Sequence, residues 1–539
     1  MIWLALGKIR LYINTVKHLK VSQVFYRSIR RIGLSTPLKR GHRVHPSVKE
    51  ADISFVPTIS ELNFDLAFLR RFDPDEIIDG RITLLNHSEE VNWTTCWHDE
   101  LSTPLWQFNL HYFEYLFSLA KHYRDYGDTR YLSKAKEIIL LWIDNNPQAI
   151  VSVGWDPYTI SMRVVNWLAF ISELIVDLQD DRTFLTRVNQ SLAEQYDYLS
   201  RHLEKDLLAN HYLENLKALI IMAIYFKDEK TLNLALSALK QQVAEQILPD
   251  GMHFELSPMY HKIVLEDLLR IAVVLRKNNF DYKWLLPILQ KMGDCLYSLE
   301  RLTERTPLFN DSGDNIAKNK CALLQALRVH FNIKPTYRDH FPDAGYYLLE
   351  HPVEGHTVKI IVDAGNAGPE YALGHAHCDA LSFEVFLDGK PWIINCGTYA
   401  YQDTKRPWFK SAKAHTTVVT NDNDQHECWA SFRIARYGKA SVESRSSCSL
   451  KISFVNYIGE RLSRELTVSD EGLEIKDESI YGVRLTRFLY FSKPVNGAEK
   501  GLWYAPSFGE LNEAYRLVQE GEKCIETFIK FSDGFEDAK

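Results

Sequence analysis

Three short segments of this chain concentrate side chains able to move protons or hold a metal. The densest is Gly374-His375-Ala376-His377-Cys378-Asp379. On an extended segment the two imidazoles of His-x-His point to one side, whereas in a loop they diverge, so that one can ligate a metal while the other faces a substrate. A packing or surface role explains such a pair equally well. His415, in Lys413-Ala414-His415-Thr416-Thr417, and Asn395, in Ile394-Asn395-Cys396-Gly397-Thr398-Tyr399, add polar groups at strand ends. The second segment, Gly251 through His261, brings His253, Glu255, Tyr260 and His261 together ahead of a helix. The third, Asn210-His211-Tyr212-Leu213-Glu214-Asn215, opens a helix. An Asn cap accounts for Asn210 but not for His211 or Glu214.

Other groups could bind rather than react. Arg163 and Asn166 are three apart and share a helical face, which suits a grip on a carboxylate, although an internal pairing is the commoner use of such an Arg. Trp106, Asn109, His111 and Tyr112 combine aromatic and polar character, with core packing as the plain alternative. Asn310-Asp311-Ser312-Gly313-Asp314-Asn315 offers two carboxylates and also reads as a turn.

Two kinds of scaffold must position these groups. From about residue 110 to 335 the apolar period is helical: Leu132, Ala135, Ile139, Trp142 and Ile143 keep one face, and Leu268, Ile271, Ala272 and Leu275 another. Breakers recur at Asn145-Asn146-Pro147, Asp180-Asp181, Asp228 and Pro249-Asp250-Gly251, so the helices form serial hairpins of the kind that build a toroid. After about residue 340 the period becomes two. Leu381, Phe383, Val385 and Leu387 run into Asp388-Gly389 and return through Trp392-Ile393, and Leu466 and Val468 turn at 470–472 into Leu473 and Ile475. The expected fold is a multidomain α plus β chain. Residues 1–100 are an N-terminal extension packed on the toroid, 101–338 an α/α toroid and 339–539 an antiparallel β sandwich.

Composition narrows the function. Of 539 residues 46% are hydrophobic and 25% charged, which excludes wholesale disorder and collagen-like architecture. With 63 Lys plus Arg against 70 Asp plus Glu, the net charge of -7 argues against broad capture of nucleic acid. No apolar run reaches the roughly 18 to 20 residues of a membrane span. The eight cysteines show neither CxxC spacing nor a disulfide framework. Tyr12 to Ile32 carries Lys17, Lys20, Arg27, Arg30 and Arg31, and reads either as a basic amphipathic helix on a membrane or partner or as a solvated face.

Taken in order, the Asn-His segment at 210–214, Ser-Pro-x-Tyr-His at 257–261, Gly-His-x-His-x-Asp at 374–379, Gly-Thr-Tyr at 397–399, and Arg406 through Phe409, Ser411, His415 and Gln425 resemble the heparinase II/III-like polysaccharide lyases. The resemblance runs from about Trp106 to Gln425. It implies an α/α toroid followed by a β sandwich, and cleavage of a uronic-acid-containing polysaccharide by β-elimination. It makes Tyr260 the general acid/base with His375 as partner, and Asn210 or His211 the neutraliser of the substrate carboxylate. Arg163, Asn166, Arg406, Glu255, His261, Trp106 and Tyr399 become the expected substrate contacts. His377 and His415 match structural zinc ligands, with Asn395 in the third position where an Asp is usual. An amide is a poorer zinc ligand than a carboxylate. Thr416 and Lys410 also depart from the pattern. The implied partner is an acidic polysaccharide and the implied compartment the periplasm, although no secretory signal is recognisable near Met1. The chemistry suits the residue types: neutralising the carboxylate acidifies the adjacent C–H, donors stabilise the enolate, and a Tyr or His moves the proton. Two rival readings share the scaffold: a toroid hydrolase using Glu255 with Asp311 or Asp314, and a non-catalytic glycan-binding or assembly protein.

Overall fold

The computed structural model describes residues 2–44, 46, 56–98, 103–148, 152–353 and 355–535. The expected boundary at 100/101 lies outside them. Helices occupy the stretch from Pro104–Leu110 to Lys320–Phe331 and strands the stretch from His340–Phe341 to Cys524–Lys530, an α/α toroid followed by an antiparallel β sandwich.

The helices start and stop where the side chains dictate. Asp128, Asp156, Asp181, Asp228 and Ser257 each cap a helix by accepting a backbone N–H of its first turn, and Pro157 and Pro258 follow as first helical residues. Ala209–Tyr225 is buried on nearly every side and packs against Pro157–Glu173, Glu229–Gln246 and Pro258–Lys277. Residues 56–97 share this core: Leu62, Phe68, Ile77, Trp93 and Trp97 lie in one apolar cluster with Leu116, Trp142 and Leu216.

The sandwich has a large sheet and a five-stranded sheet. In the large sheet the order is Glu499–Tyr504, Asn512–Gly521, Leu485–Phe491, Lys390–Ile393, Phe383–Leu387, His356–Asp363, Tyr346–Val353 and His340–Phe341, with Val418–Thr420 beside Leu485–Phe491. The hairpin at Asp388-Gly389 pairs Leu387 with Lys390, both turn residues taking positive φ as a two-residue turn of this hand requires. The second hairpin, Arg461–Val468 with Gly472–Ser479, pairs Leu466 with Ile475 in the smaller sheet. Val358, Ile360, Val362 and Val385 face that smaller sheet, whereas Leu348, Ile361 and Phe386 face Met252, Leu256 and Leu299 of the helical part. The inner strands of the large sheet are thus buried on both faces, and the charged residues they carry, Lys359, Glu384 and Arg487, are paired internally with Glu350, Arg305 and Asp477. The site lies where this second face meets the toroid.

Candidate active site

Side chains of the 374–379 segment and of Arg406 converge on one buried carboxylate. Asp311 is fully buried. Its Oδ2 is 3.0 Å from His375 Nδ1 and its Oδ1 2.7 Å from His377 Nε2, while Arg406 donates through Nη1 and Nη2 to both oxygens. Burial alone would raise the Asp311 carboxyl, but Arg406 and His377 outweigh it and hold the group well below the usual carboxylate range. Asn310 staples the same segments: its side chain donates to Leu256 O and accepts from His377 N, and its own N–H donates to Asp379.

Tyr260 sits in the first turn of Pro258–Lys277, its backbone N–H on the Ser257 cap. Its ring centroid is 4.3 Å from that of His375, and its hydroxyl is 2.8 Å from the Tyr401 hydroxyl. Burial pushes the Tyr260 phenol far above its ordinary value, so it is a proton donor at neutral pH. His375 spends Nδ1 on Asp311, which leaves Nε2 as its other ring nitrogen. The fold thus brings together the two residues that the family resemblance pairs.

Asn210 and His211 lie in the first turn of the helix Ala209–Tyr225, and neither lines the cavity beside Tyr260. Asn210 is not a cap: Leu208 occupies the cap position, and Asn210 donates instead to Glu255 Oε2 at 2.7 Å. Leu208 and Ala209 both take positive φ just before it, a strained arrangement for two non-glycine residues that fixes the direction of this turn. His211 Nδ1 is 2.9 Å from Glu204 Oε1, and its ring packs against Tyr158. Burial lowers the His211 imidazole, but Glu204 outweighs it and raises the group to about 9, leaving it cationic at neutral pH.

A cavity of about 120 Å³ opens beside Tyr260 and Tyr401 and is lined also by Tyr112, Tyr158 and Asn166. Its floor is charged: Lys217 donates to Asp267 at 2.7 Å and pairs with Glu214. One side is walled by the hairpin Arg81–Leu84/His87–Glu90, whose Asn86 donates to Ser507 Oγ and Phe508 O. Gly509 (φ +74°) is required at that contact, because a Cβ there would lie 1.9 Å from Leu85 O.

Several expected substrate contacts are internal instead. Arg163 is fully buried, donates to Gln195 and Gly154 O, and stacks on Trp142, so its charge is consumed inside the toroid. His261 accepts from His253 N and faces Met292 O. Trp106 is buried with its indole N–H on His87 O. Tyr399 packs with Phe409 and Lys405 and does not line the cavity. Glu255 orients Asn210, and Arg406 is bound to Asp311; only Asn166 of the set lines the cavity directly, with its amide on Tyr112 O. Sequence reasoning missed Tyr401 and placed Asp311 only in a rival hydrolase. Asp311 cannot serve there as an acid, since Arg406 keeps it ionised.

The expected zinc ligands lie together, and each is engaged with protein partners. His377 Nδ1 is 3.3 Å from His415 Nε2, which also faces Phe409 O at 3.1 Å. Asn395 Oδ1 already accepts from Thr416 N at 3.0 Å. Two imidazoles and an amide are a weaker donor set for zinc than two imidazoles and a carboxylate. Among the described residues no three His, Cys, Asp or Glu side chains converge as a metal site.

The chain matches the family model described as Heparinase II/III N-terminus over residues 26–338 and the one described as Heparinase II/III-like, C-terminal over residues 333–482. It is 22% identical over 392 residues to a heparin-sulfate lyase of Pedobacter heparinus, covering 67% of this chain and 58% of that one. With a heparin-sulfate lyase of Bacteroides thetaiotaomicron it shares 23% over 466 residues, 73% of this chain and 64% of the relative. The chain thus spans about three fifths of the length of these curated relatives. A crystal structure of heparinase III superimposes with a TM-score of 0.67 at 17% identity, covering 92% of this chain and 89% of that one. A heparan sulfate lyase from Pedobacter heparinus does so with a TM-score of 0.53 at 17% identity, covering 94% and 87%. These likenesses show a shared fold, and because the N-terminal match alone covers more than half of the sequence, the chain belongs to the heparinase II/III family.

Proposed function

We propose that this protein is a polysaccharide lyase that cleaves a uronic-acid-containing polysaccharide by β-elimination. The observation that carries the reading is the Tyr260–His375 pair, a phenol kept protonated beside an imidazole whose orientation Asp311 fixes. In this reading the uronate carboxylate is neutralised by His211, which Glu204 keeps cationic, and by the amide of Asn210, and this acidifies the neighbouring C5–H. His375 Nε2 takes that proton, the C4–O bond breaks as the C4–C5 double bond forms, and Tyr260 donates its proton to the departing oxygen. His375 then releases its proton to solvent and Tyr260 regains one from solvent, with the Tyr401 hydroxyl 2.8 Å from that of Tyr260. No pair of catalytic carboxylates is needed, unlike in glycoside hydrolysis. The relatives' names make heparan-type glycosaminoglycans the first substrates to try, followed by other polyuronates.

The test is the ultraviolet absorbance of the unsaturated uronate during incubation with a panel of acidic polysaccharides, with Tyr260→Phe alongside. Rising absorbance that the variant loses supports the lyase. New reducing ends without absorbance would replace it by a hydrolase, and glycan binding without turnover by a binding protein.

A further inference from the structure

The N-terminal helices Ile2–Val16 and Val21–Arg31 have an inner face that the fold explains and an outer face that it does not. On the inner side Tyr12 packs edge-on against Trp429 at 4.8 Å, and Trp429 donates its indole N–H to Thr15. Gln23, buried, donates to Leu207 O and Tyr371 O, and Arg30 pairs with Asp206 and Asp156. The two helices therefore straddle toroid and sandwich.

Their outer side carries apolar stripes at helical spacing. Ile9, Ile13 and Val16 are 53%, 63% and 48% exposed, and Val21, Phe25 and Ile32 are 85%, 58% and 70% exposed. Around them stand the exposed cations Lys8, Arg10, Lys17 and Arg31. The sequence has seven Lys and Arg between residues 8 and 31 and no Asp or Glu before residue 50, in a chain whose net charge is -7. Such a sign reversal confined to an apolar, exposed helix pair is unlike the interspersed charges of a solvated face.

We propose that this face seats the protein on an anionic phospholipid bilayer, with Ile13 and Phe25 entering the acyl boundary and the flanking cations at headgroup level. The charge pattern selects this occupant. A second copy of the chain would oppose two cationic faces that contain no acid between them. A soluble polyanion would satisfy the cations but offer the stripes no apolar phase. Attachment is peripheral: among the described residues no helix is long and apolar enough to cross a membrane.

Co-sedimentation of the full chain with vesicles of phosphatidylcholine, or of phosphatidylcholine and phosphatidylglycerol at about three to one, tests this independently of any catalytic activity. The expected result is at least about tenfold stronger binding to the anionic vesicles, lost at high salt. Ile13→Asp/Phe25→Asp and, separately, Lys8→Glu/Arg10→Glu each lower binding by at least about tenfold. All four positions are exposed, and unchanged thermal melts verify that both variants fold. Absence of binding to anionic vesicles at low salt overturns the proposal. So does undiminished binding by the Ile13→Asp/Phe25→Asp variant, which would mark the face as a polyanion site. Self-association that this variant abolishes, without vesicle binding, would make it an interface between copies.

Discussion

Replacing Asp311 by Asn removes one charge from a cluster that has no access to solvent. Asp311 is 0% and Arg406 1% exposed, so the guanidinium left behind has no water to replace two charge-assisted hydrogen bonds. Stranding one partner of a buried pair costs about 3–5 kcal/mol. The same substitution frees His375 Nδ1 from its carboxylate, so the imidazole loses both its fixed tautomer and its aim at the substrate. General-base contributions of this kind are about 10²- to 10⁴-fold in rate, and kcat should fall within that range. Denaturant unfolding followed by tryptophan fluorescence reads the first effect, and unsaturated-uronate absorbance the second. The double variant Asp311→Asn/Arg406→Met separates them: removing the stranded cation restores about 2 kcal/mol or more of stability and none of the activity. Acid titration gives a further check. Because the folded Asp311 carboxyl is held below its ordinary value, its stabilisation is fully present above about pH 4 and is lost as pH falls toward the folded value. Asp311→Asn should therefore flatten the acid limb of the stability curve. A single variant within about 1 kcal/mol of wild type, or a double variant with wild-type turnover, would refute the argument.

Tyr401→Phe deprives the Tyr260 hydroxyl of its protein partner, and kcat should drop about tenfold with KM nearly unchanged in initial-rate measurements. Because Glu204 raises His211 to about 9, kcat/KM should decline as pH rises through that value, and His211→Gln should show a higher KM and no such limb in its pH profile. Arg163→Lys loses the bonds to Gly154 O and Gln195 and the stacking on Trp142, so it should cost about 2–3 kcal/mol in unfolding experiments while leaving KM unchanged. Prolonged dialysis against a strong chelator should leave the melting temperature and turnover unchanged, since His377 and His415 bond to Asp311, to each other and to Phe409 O.

Periodicity made the scaffold legible because both elements bury one stripe or face strongly. Leu268, Ile271, Ala272 and Leu275 are all fully buried, and both hairpins fall where Asp388-Gly389 and the 470–472 turn place them. The assignment of those hairpins to different sheets was not legible, since register within a hairpin is local whereas sheet membership depends on distant strands. In the site, residue type and order singled out Tyr260 and His375, whose rings the fold brings within 4.3 Å of each other. Burial defeated the rest. Arg163 and His261 have the chemistry of substrate contacts but point into the toroid, and a helical face shared with Asn166 says nothing of which neighbour it meets. Tyr401 lies 141 residues from its partner, and no local spacing announces the contact.

Asn395 and Thr416 show how substitutions in a family pattern can be joined through structure. The Asn395 amide uses both ends, accepting from Thr416 N and donating to Ser382 Oγ, while its backbone N–H donates to Glu384. A carboxylate at this position could accept but not donate, and would stand beside Glu384, whose charge is already matched by Arg305. Thr416 completes the link by donating to Ile394 O and accepting from Tyr490 N, tying the strand Leu485–Phe491 to the residue preceding Asn395. The two departures from the family pattern therefore form one hydrogen-bonded unit that positions the His415 loop. With that unit in place, His377 is oriented from its other nitrogen by Asp311, the same carboxylate that orients His375. A single buried anion thereby couples the His377–His415 cluster to the Tyr260–His375 pair, which is why Asp311, rather than any of the imidazoles, is the residue on which both stability and turnover should depend.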